Sequence, residues 1–279
     1  MSEATERLLR LLTLDRLEQE EAGDADQLWR GATGQHAANL SGRLFGGVVI
    51  AQAIVAAGRS DTARRVHSAQ LHFLRGGSID EPADYRCTQL FEGRTYATWR
   101  IDISQSQHLI AHATVGLTAG VDDVPDWHQP ATEAPDFATA VDRDELVGRR
   151  NPAAQPVETR VDANEHGDDS PHLTLWAKPN GNLPEDPLVH QALLGYVSDR
   201  GMVTVARKAH SPEHPGLTGA TLDHAIWFHR PVVFDSWHRY SMRNVNLVDG
   251  RGMTHGTLYR NGVLVATTSQ QSALRVRSA

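Results

Sequence analysis

A single cysteine, Cys87, is all that this chain of 279 residues contains. That rules out an internal disulfide framework and points to a reducing compartment. Cys87 falls in a strand-like stretch, where a small core side chain is the expected role. No apolar run approaches the roughly 20 residues of a membrane-spanning helix. Met1–Glu20 is charged and carries Leu8, Leu9, Leu11 and Leu12 at helical spacing rather than the apolar core of a secretion signal. Arg277-Ser278-Ala279 is not a peroxisomal address, so the cytoplasm is the expected location. Positive charge is not in excess: the formal net charge is −7, against the basic field that a general nucleic-acid binder needs. Metal-ligand spacings are missing as well. There is no His-Glu-x-x-His and no Cys-x-x-Cys, and the 15 histidines are scattered, so neither a metal nor another cofactor is expected. The absence of Gly-x-Ser-x-Gly argues against a serine hydrolase.

What the chain does have is a near-repeat of itself. Leu71-His72-Phe73-Leu74-Arg75 is answered by Ile226-Trp227-Phe228-His229-Arg230, and His108-Leu109-Ile110-Ala111 by Val263-Leu264-Val265-Ala266. Both matches have one offset, since 230 − 75 and 266 − 111 each give 155. Two copies at so long a period mean a duplicated unit, not a solenoid. Function should lie where the copies differ chemically.

Each copy reads as one buried helix followed by an antiparallel sheet. Phe45–Arg59 is apolar nearly all round, with only Gln52 interrupting it, as a central helix would be. Gln27–Gly31 and the stretches 66–75, 84–91, 96–104 and 109–118 read as strands; Trp99–Ser104 alternates cleanly, the mark of a sheet with one buried face. Proline and aspartate then break the pattern over 121–156, an inter-copy connection with a short helix near 136–149. The second copy runs a strand from Val157 to Asn164, then Leu173–Trp176, then a helix from Pro187 to Lys208 with proline well placed at its start. Strands at 219–230, 238–248, 252–260 and 262–274 follow, with Asn261-Gly262 as a hairpin turn. The expected organisation is a first unit over residues 1–120, a linker over 121–156 and a second unit over 157–279. The expected class is α+β.

Three polar groups in the second copy occupy apolar places. Asp199 shares a helical stripe with Leu188, Ala192, Gly195, Tyr196, Met202, Val203 and Ala206, where an unpaired carboxylate costs several kcal/mol. Gln270 lies on the strand face of Leu264, Ala266 and Thr268, whose counterparts Leu109, Ala111, Ala113 and Val115 are all apolar. Thr221 stands where the first copy has Val66. A cap at a helix break, near Gly201, would explain Asp199 alone, and a strand threonine or a solvated glutamine the others singly. Together, a carboxylate, a hydroxyl and a primary amide in an apolar surround can hold one water. Asp199 would take its proton, Thr221 and Gln270 would orient it, and burial would raise the Asp199 pKa against the pull of their hydrogen bonds.

Leu44-Phe45-Gly46-Gly47, Val66-His67-Ser68, Phe73-Leu74-Arg75, Gly195-Tyr196 with Ser198-Asp199, Ala220-Thr221-Leu222-Asp223-His224, Trp227-Phe228-His229-Arg230-Pro231 and Gly262–Ala266 together resemble the type II acyl-CoA thioesterases. The resemblance covers about residues 5 to 275. It implies a tandem double hotdog, two antiparallel sheets each wrapped around a central helix. The catalytic Asp, Thr and Gln of that family fall on Asp199, Thr221 and Gln270. Departures lie in the first copy: Val48 replaces a usual Gln, Gly76-Gly77 a usual Pro-Gly, and Gln70 a usual His. The resemblance implies hydrolysis of acyl-CoA, and assembly as a homo-oligomer. For substrate binding, Gly46 and Gly47 offer backbone N–H groups at the first helix, and Arg75, Lys178 and Arg230 are cations for the CoA phosphates. Rival readings are an enoyl-CoA hydratase, which wants Asp and His presented together from a helix, and a non-catalytic acyl-CoA binder, which would lack the polar trio.

Overall fold

A computed structural model of the chain describes residues 3–18, 26–34, 37–39, 41–121, 124–131, 136–146, 155–162, 171–208 and 217–276. The first half runs α1 (Glu3–Leu12), β1 (Leu14–Arg16), β2 (Gln27–Gly31), α2 (Gly46–Ser60), β3 (Arg65–Phe73), β4 (Ala83–Glu92), β5 (Tyr96–Gln105) and β6 (His108–Thr118). A short 3₁₀ turn at Phe137–Thr139, β7 (Ala140–Asp142) and α3 (Arg143–Leu146) follow. The second half runs β8 (Val157–Asp162), β9 (His172–Pro179), α4 (Pro187–Ser198), α5 (Met202–Lys208), β10 (Leu217–Phe228), β11 (His238–Val248), β12 (Arg251–Arg260) and β13 (Val263–Val276).

Helix α2 is buried from Gly47 to Gly58, which explains its lack of a polar face. The cost of burying Gln52 is offset by three hydrogen bonds: its amide N–H groups donate to Leu11 O (2.7 Å) and Ala32 O (2.9 Å), and its Oε1 accepts from Tyr85 OH (2.6 Å). The strands follow the alternation read from sequence. Trp99, Ile101 and Ile103 point inward while Arg100 and Asp102 face outward. Cys87 is fully buried and its thiol is pushed up to about 12 by desolvation, so it is a core side chain.

The two sheets are continuous. Strand order is β1-β2-β4-β5-β6-β3-β10-β13-β12-β11-β9-β8-β7, all neighbours antiparallel, and the halves join where β3 pairs with β10 (Gln70 opposite Ala225, Ser68 opposite Trp227). The helices run antiparallel against each other, the start of α2 at the end of α4. Glycines permit the approach: a Cβ at Gly47 would strike Tyr196 O, one at Gly58 would strike Leu188, and one at Gly195 would strike Ile54.

Two expectations need revision. The helix expected over Pro187–Lys208 is two helices, interrupted at Asp199-Arg200-Gly201, because Gly201 adopts φ +94 and its position abuts Met242. The connection expected to carry a short helix near 136–149 supplies an edge strand, β7, paired to β8, before the single turn of α3; residues 147–149, like the expected strand end at Asn164, lie outside the described residues.

Candidate active site

Helix α2 begins without a cap of its own. The residue before it, Phe45, makes no side-chain cap hydrogen bond, and the next two are glycines. The first N–H groups of a helix need acceptors, and the positive end of its dipole favours an anion. The second half supplies both. Asp199 occupies the C-cap of α4 (φ −83, ψ −11), and its carboxylate lies against the start of α2, where the Gly47 N–H favours its charged form. The approach is close enough that a Cβ at Gly46 would sit 2.7 Å from Asp199 Oδ2.

Thr221 Oγ1 donates to Asp199 Oδ1 at 3.3 Å. Asp199 is only 7% exposed, and desolvation raises its carboxyl pKa to about 6 against the Thr221 hydroxyl, the Gly47 N–H and the charge of Arg200. The Arg200 guanidinium is itself held elsewhere. It donates to Tyr196 OH (2.9 Å), Gln155 Oε1 (3.3 Å) and Asp144 Oδ1 (3.4 Å) and lies over the rings of Tyr196 and Phe45. The cation next in sequence therefore does not cover the carboxylate.

Gln270 is fully buried, but its hydrogen-bond partners are His224 and Ser272 rather than Asp199 or Thr221. Its Oε1 lies 2.8 Å from His224 Nδ1, and its Nε2 donates to Ser272 Oγ at 3.2 Å. His224 Nε2 in turn lies 2.8 Å from the hydroxyl of Ser198, the residue before Asp199. The structure thus joins Asp199 and Thr221 directly and brings in Gln270 through His224, Ser198 and Ser272. Tyr240 closes the surround, donating to Ser198 O at 2.7 Å.

Sequence reading missed His224, Ser198 and Ser272. A bulge hid the first. Thr221 pairs with Ser272 and His224 with Gln270, so one residue is inserted between Thr221 and Asp223. Residues three apart in a regular strand face opposite ways, and the insertion turns Thr221 and His224 to one face. The same bulge lies between Val66 and Ser68 in the first half. Extending the offset of 155 to every inward position would have found the signal, since His224 answers Ala69 and Ser272 answers Leu117.

The three cations differ. Arg75 donates to Leu109 O (2.7 Å) and Arg230 to Leu264 O (3.3 Å), the same strand-tying bond at equivalent places. Arg230 also pairs with Asp126 (2.5 Å), and Lys178 with Glu158 (2.9 Å) while resting over Trp237. Arg75 has no carboxylate partner among the described residues. It borders an open cleft of about 390 Å³ with Ser78, Glu81, Gln105, Ser106 and His108.

Comparison with known proteins gives the family and the fold. The family model described as acyl-CoA thioesterase matches residues 142–273, and that of the acyl-CoA thioesterase N-terminal domain matches residues 36–118. Acyl-CoA thioesterase 2 of Haemophilus influenzae is 30% identical over 99% of both chains. The chain belongs to the acyl-CoA thioesterase family. Human acyl-coenzyme A thioesterase 8 is 28% identical over 84% of this chain and 81% of its own. Among solved structures, acyl-CoA thioesterase II TesB2 of Mycobacterium marinum matches with a TM-score of 0.79 and 26% identity over 97% of this chain and 99% of its own. A protein from Alicyclobacillus acidocaldarius described as having the hot dog fold matches with a TM-score of 0.78 at 16% identity, over 97% of this chain and 98% of its own. The architecture is accordingly a tandem double hotdog.

Proposed function

We propose that this thioesterase hydrolyses acyl-CoA to a carboxylic acid and CoA with Asp199 as the general base. One observation carries the reading: a buried carboxylate sits between Thr221 and the start of a helix that has no cap of its own, with its pKa raised to about 6. Asp199 takes a proton from water as the water oxygen attacks the thioester carbonyl carbon. The tetrahedral species then expels the CoA thiolate, a good leaving group because a free thiol has a pKa of about 8.5, and the proton held by Asp199 returns to solvent or sulfur. Thr221 orients the carboxylate and the water, and Gln270 offers an amide N–H to the water or the thioester oxygen. Gly46 and Gly47 let the substrate carbonyl approach the start of α2.

For the CoA phosphates, Arg75 is favoured because it has no carboxylate partner among the described residues; Arg230 and Lys178 would first have to release Asp126 and Glu158. We assign residues 1–120 to the first hotdog, 121–156 to the connection and 157–279 to the second. The outer strands β1 and β7 leave sheet edges that favour a homo-oligomer, and a reduced, buried Cys87 fits the cytoplasm. No helix among the described residues is long and apolar enough to cross a membrane. The test is thiol release from acyl-CoA substrates of increasing chain length, with crotonyl-CoA included. Near-normal turnover by Asp199→Asn removes Asp199 from the mechanism, and loss of the enoyl chromophore without thiol release favours hydration instead.

A further inference from the structure

The contact of His224 with Gln270 fixes a hydrogen on one of its ring nitrogens. A carbonyl oxygen only accepts, so the 2.8 Å contact with Gln270 Oε1 requires a hydrogen on Nδ1. Burial holds this imidazole neutral at physiological pH, its pKa lowered to about 4 by desolvation against the Gln270 bond. A neutral ring has one N–H, so Nε2 is bare and accepts from Ser198 Oγ at 2.8 Å, a hydroxyl hydrogen that Gly195 O also attracts at 2.7 Å. Donation through the amide then runs one way: His224 Nδ1 to Gln270 Oε1, and Gln270 Nε2 to Ser272 Oγ. The opposite tautomer would face a bare nitrogen to Oε1 and force the amide over. Tautomer and amide orientation are one choice.

We propose that His224 is a positioning residue that acts through Gln270, its Nδ1–H tautomer holding the amide so that N–H rather than C=O faces Ser272, the strand partner of Thr221. The proposal rests on the thioesterase reading for its consequence, since only an N–H there can donate to water or to a thioester oxygen. Its geometry is independent of that reading. The first half supports it: where the same bulged strand pair carries no chemistry, the position of His224 is Ala69 and that of Gln270 is Val115, each fully buried. The scaffold needs neither an imidazole nor an amide there.

Two measurements test it. In the unsubstituted protein, ¹⁵N spectra of labelled histidine, with His224 assigned by its loss in a variant, should show Nδ1 protonated and Nε2 bare; an Nε2–H tautomer overturns the proposal without reference to activity. In kinetics, asparagine places its amide near Nδ1 and glutamine places it near Nε2. His224→Asn should therefore keep more of the rate than His224→Gln, which should lose about 10²-fold in kcat, the worth of a small misplacement, with little change in KM. Equal or greater loss in His224→Asn overturns it. His224→Gln added to Gln270→Ala should slow the reaction no further than Gln270→Ala alone, and a multiplicative loss overturns it too. If Gln270→Ala is itself fully active, the catalytic reading of Gln270 fails, while the tautomer still judges the placement of His224.

Discussion

In the first half, Val66 faces Leu117 and Ala69 faces Val115 across β3 and β6. In the second, Thr221 faces Ser272 and His224 faces Gln270 across β10 and β13, with the same bulge at the equivalent place. Four apolar side chains have become four polar ones on one backbone. The helix ends tell the same story. Both α2 and α4 finish in Ser-Asp. Asp61 turns its carboxylate to its own neighbours, Arg64 (2.7 Å) and the Ala63 N–H (3.1 Å), whereas Asp199 reaches across to Gly47 and Thr221. The start of α4 is closed by its own cap, Asp186, which accepts from the Leu188 N–H and pairs with Arg59, while the start of α2 is left for Asp199. One half shows what the fold needs, and the other shows what was added to it. Burying the added polar groups is costly, and each has hydrogen-bond partners that offset the cost.

The strongest break of this comparison pairs the two C-cap aspartates. Asp199→Asn should lower kcat/KM by about 10²–10⁴, the usual worth of a general base. Asp61→Asn should leave thiol release nearly unchanged and instead lower stability, by weakening the ion pair with Arg64. Equal loss of rate in both variants would mean that the halves are not functionally distinct.

Next in size is a wholesale exchange, Thr221→Val, His224→Ala, Gln270→Val and Ser272→Leu together, which copies the first half onto the second. Activity should fall by about 10²–10³. Thermal unfolding should occur at the same or a higher temperature, because a satisfied polar cluster replaced by packed apolar groups is commonly neutral or stabilising by about 1–4 kcal/mol. An unfolded variant would show that the second half depends on these groups for its structure.

The pH dependence is a finer probe. A base with a pKa of about 6 should make kcat/KM fall about tenfold per unit below that pH and level off above it. The same shift has a stability sign. A carboxyl raised from 3.8 to about 6 on folding contributes stability below about 3.8 that is lost as pH rises through about 6. Calorimetry should therefore find Asp199→Asn gaining on the natural protein at pH 7.5, with the gap closing near pH 4. A gap that widens toward acid would contradict the burial argument.

The smallest effect concerns the hairpin turns. Asn261-Gly262 takes φ +50 and +80, and at the equivalent place Ser106-Gln107 takes +44 and +67. Glutamine is strained in that left-handed region. Gln107→Gly should stabilise the first hairpin by up to about 1 kcal/mol in denaturant titration, with no change in rate.

Much of this was legible beforehand because it depends on local period. The alternation in Trp99–Ser104 and the nearly unbroken apolarity of Phe45–Gly58 follow from which faces are buried, and the structure places them so. The repeat exposed Thr221 and Gln270 because a duplicated unit carries its own reference. His224 was not legible, since the bulge that aligns it with Thr221 reverses the parity on which strand reading relies. The break at Gly201 was also misread as continuous helix, because the apolar stripe runs through it from Leu188 to Ala206.

The sequence by itself determined the class of fold, the buried helix and the asymmetry between its two copies, since these are properties of neighbours along the chain. Only the tertiary structure decided that Asp199 lies against the start of a helix more than 150 residues before it, that Gln270 is held by an imidazole, and that Arg230 pairs with a carboxylate while Arg75 has none among the described residues. Those outcomes depend on which helix ends and strand faces meet in space, and on whether a buried polar group finds a partner there. Periodicity carries no record of either.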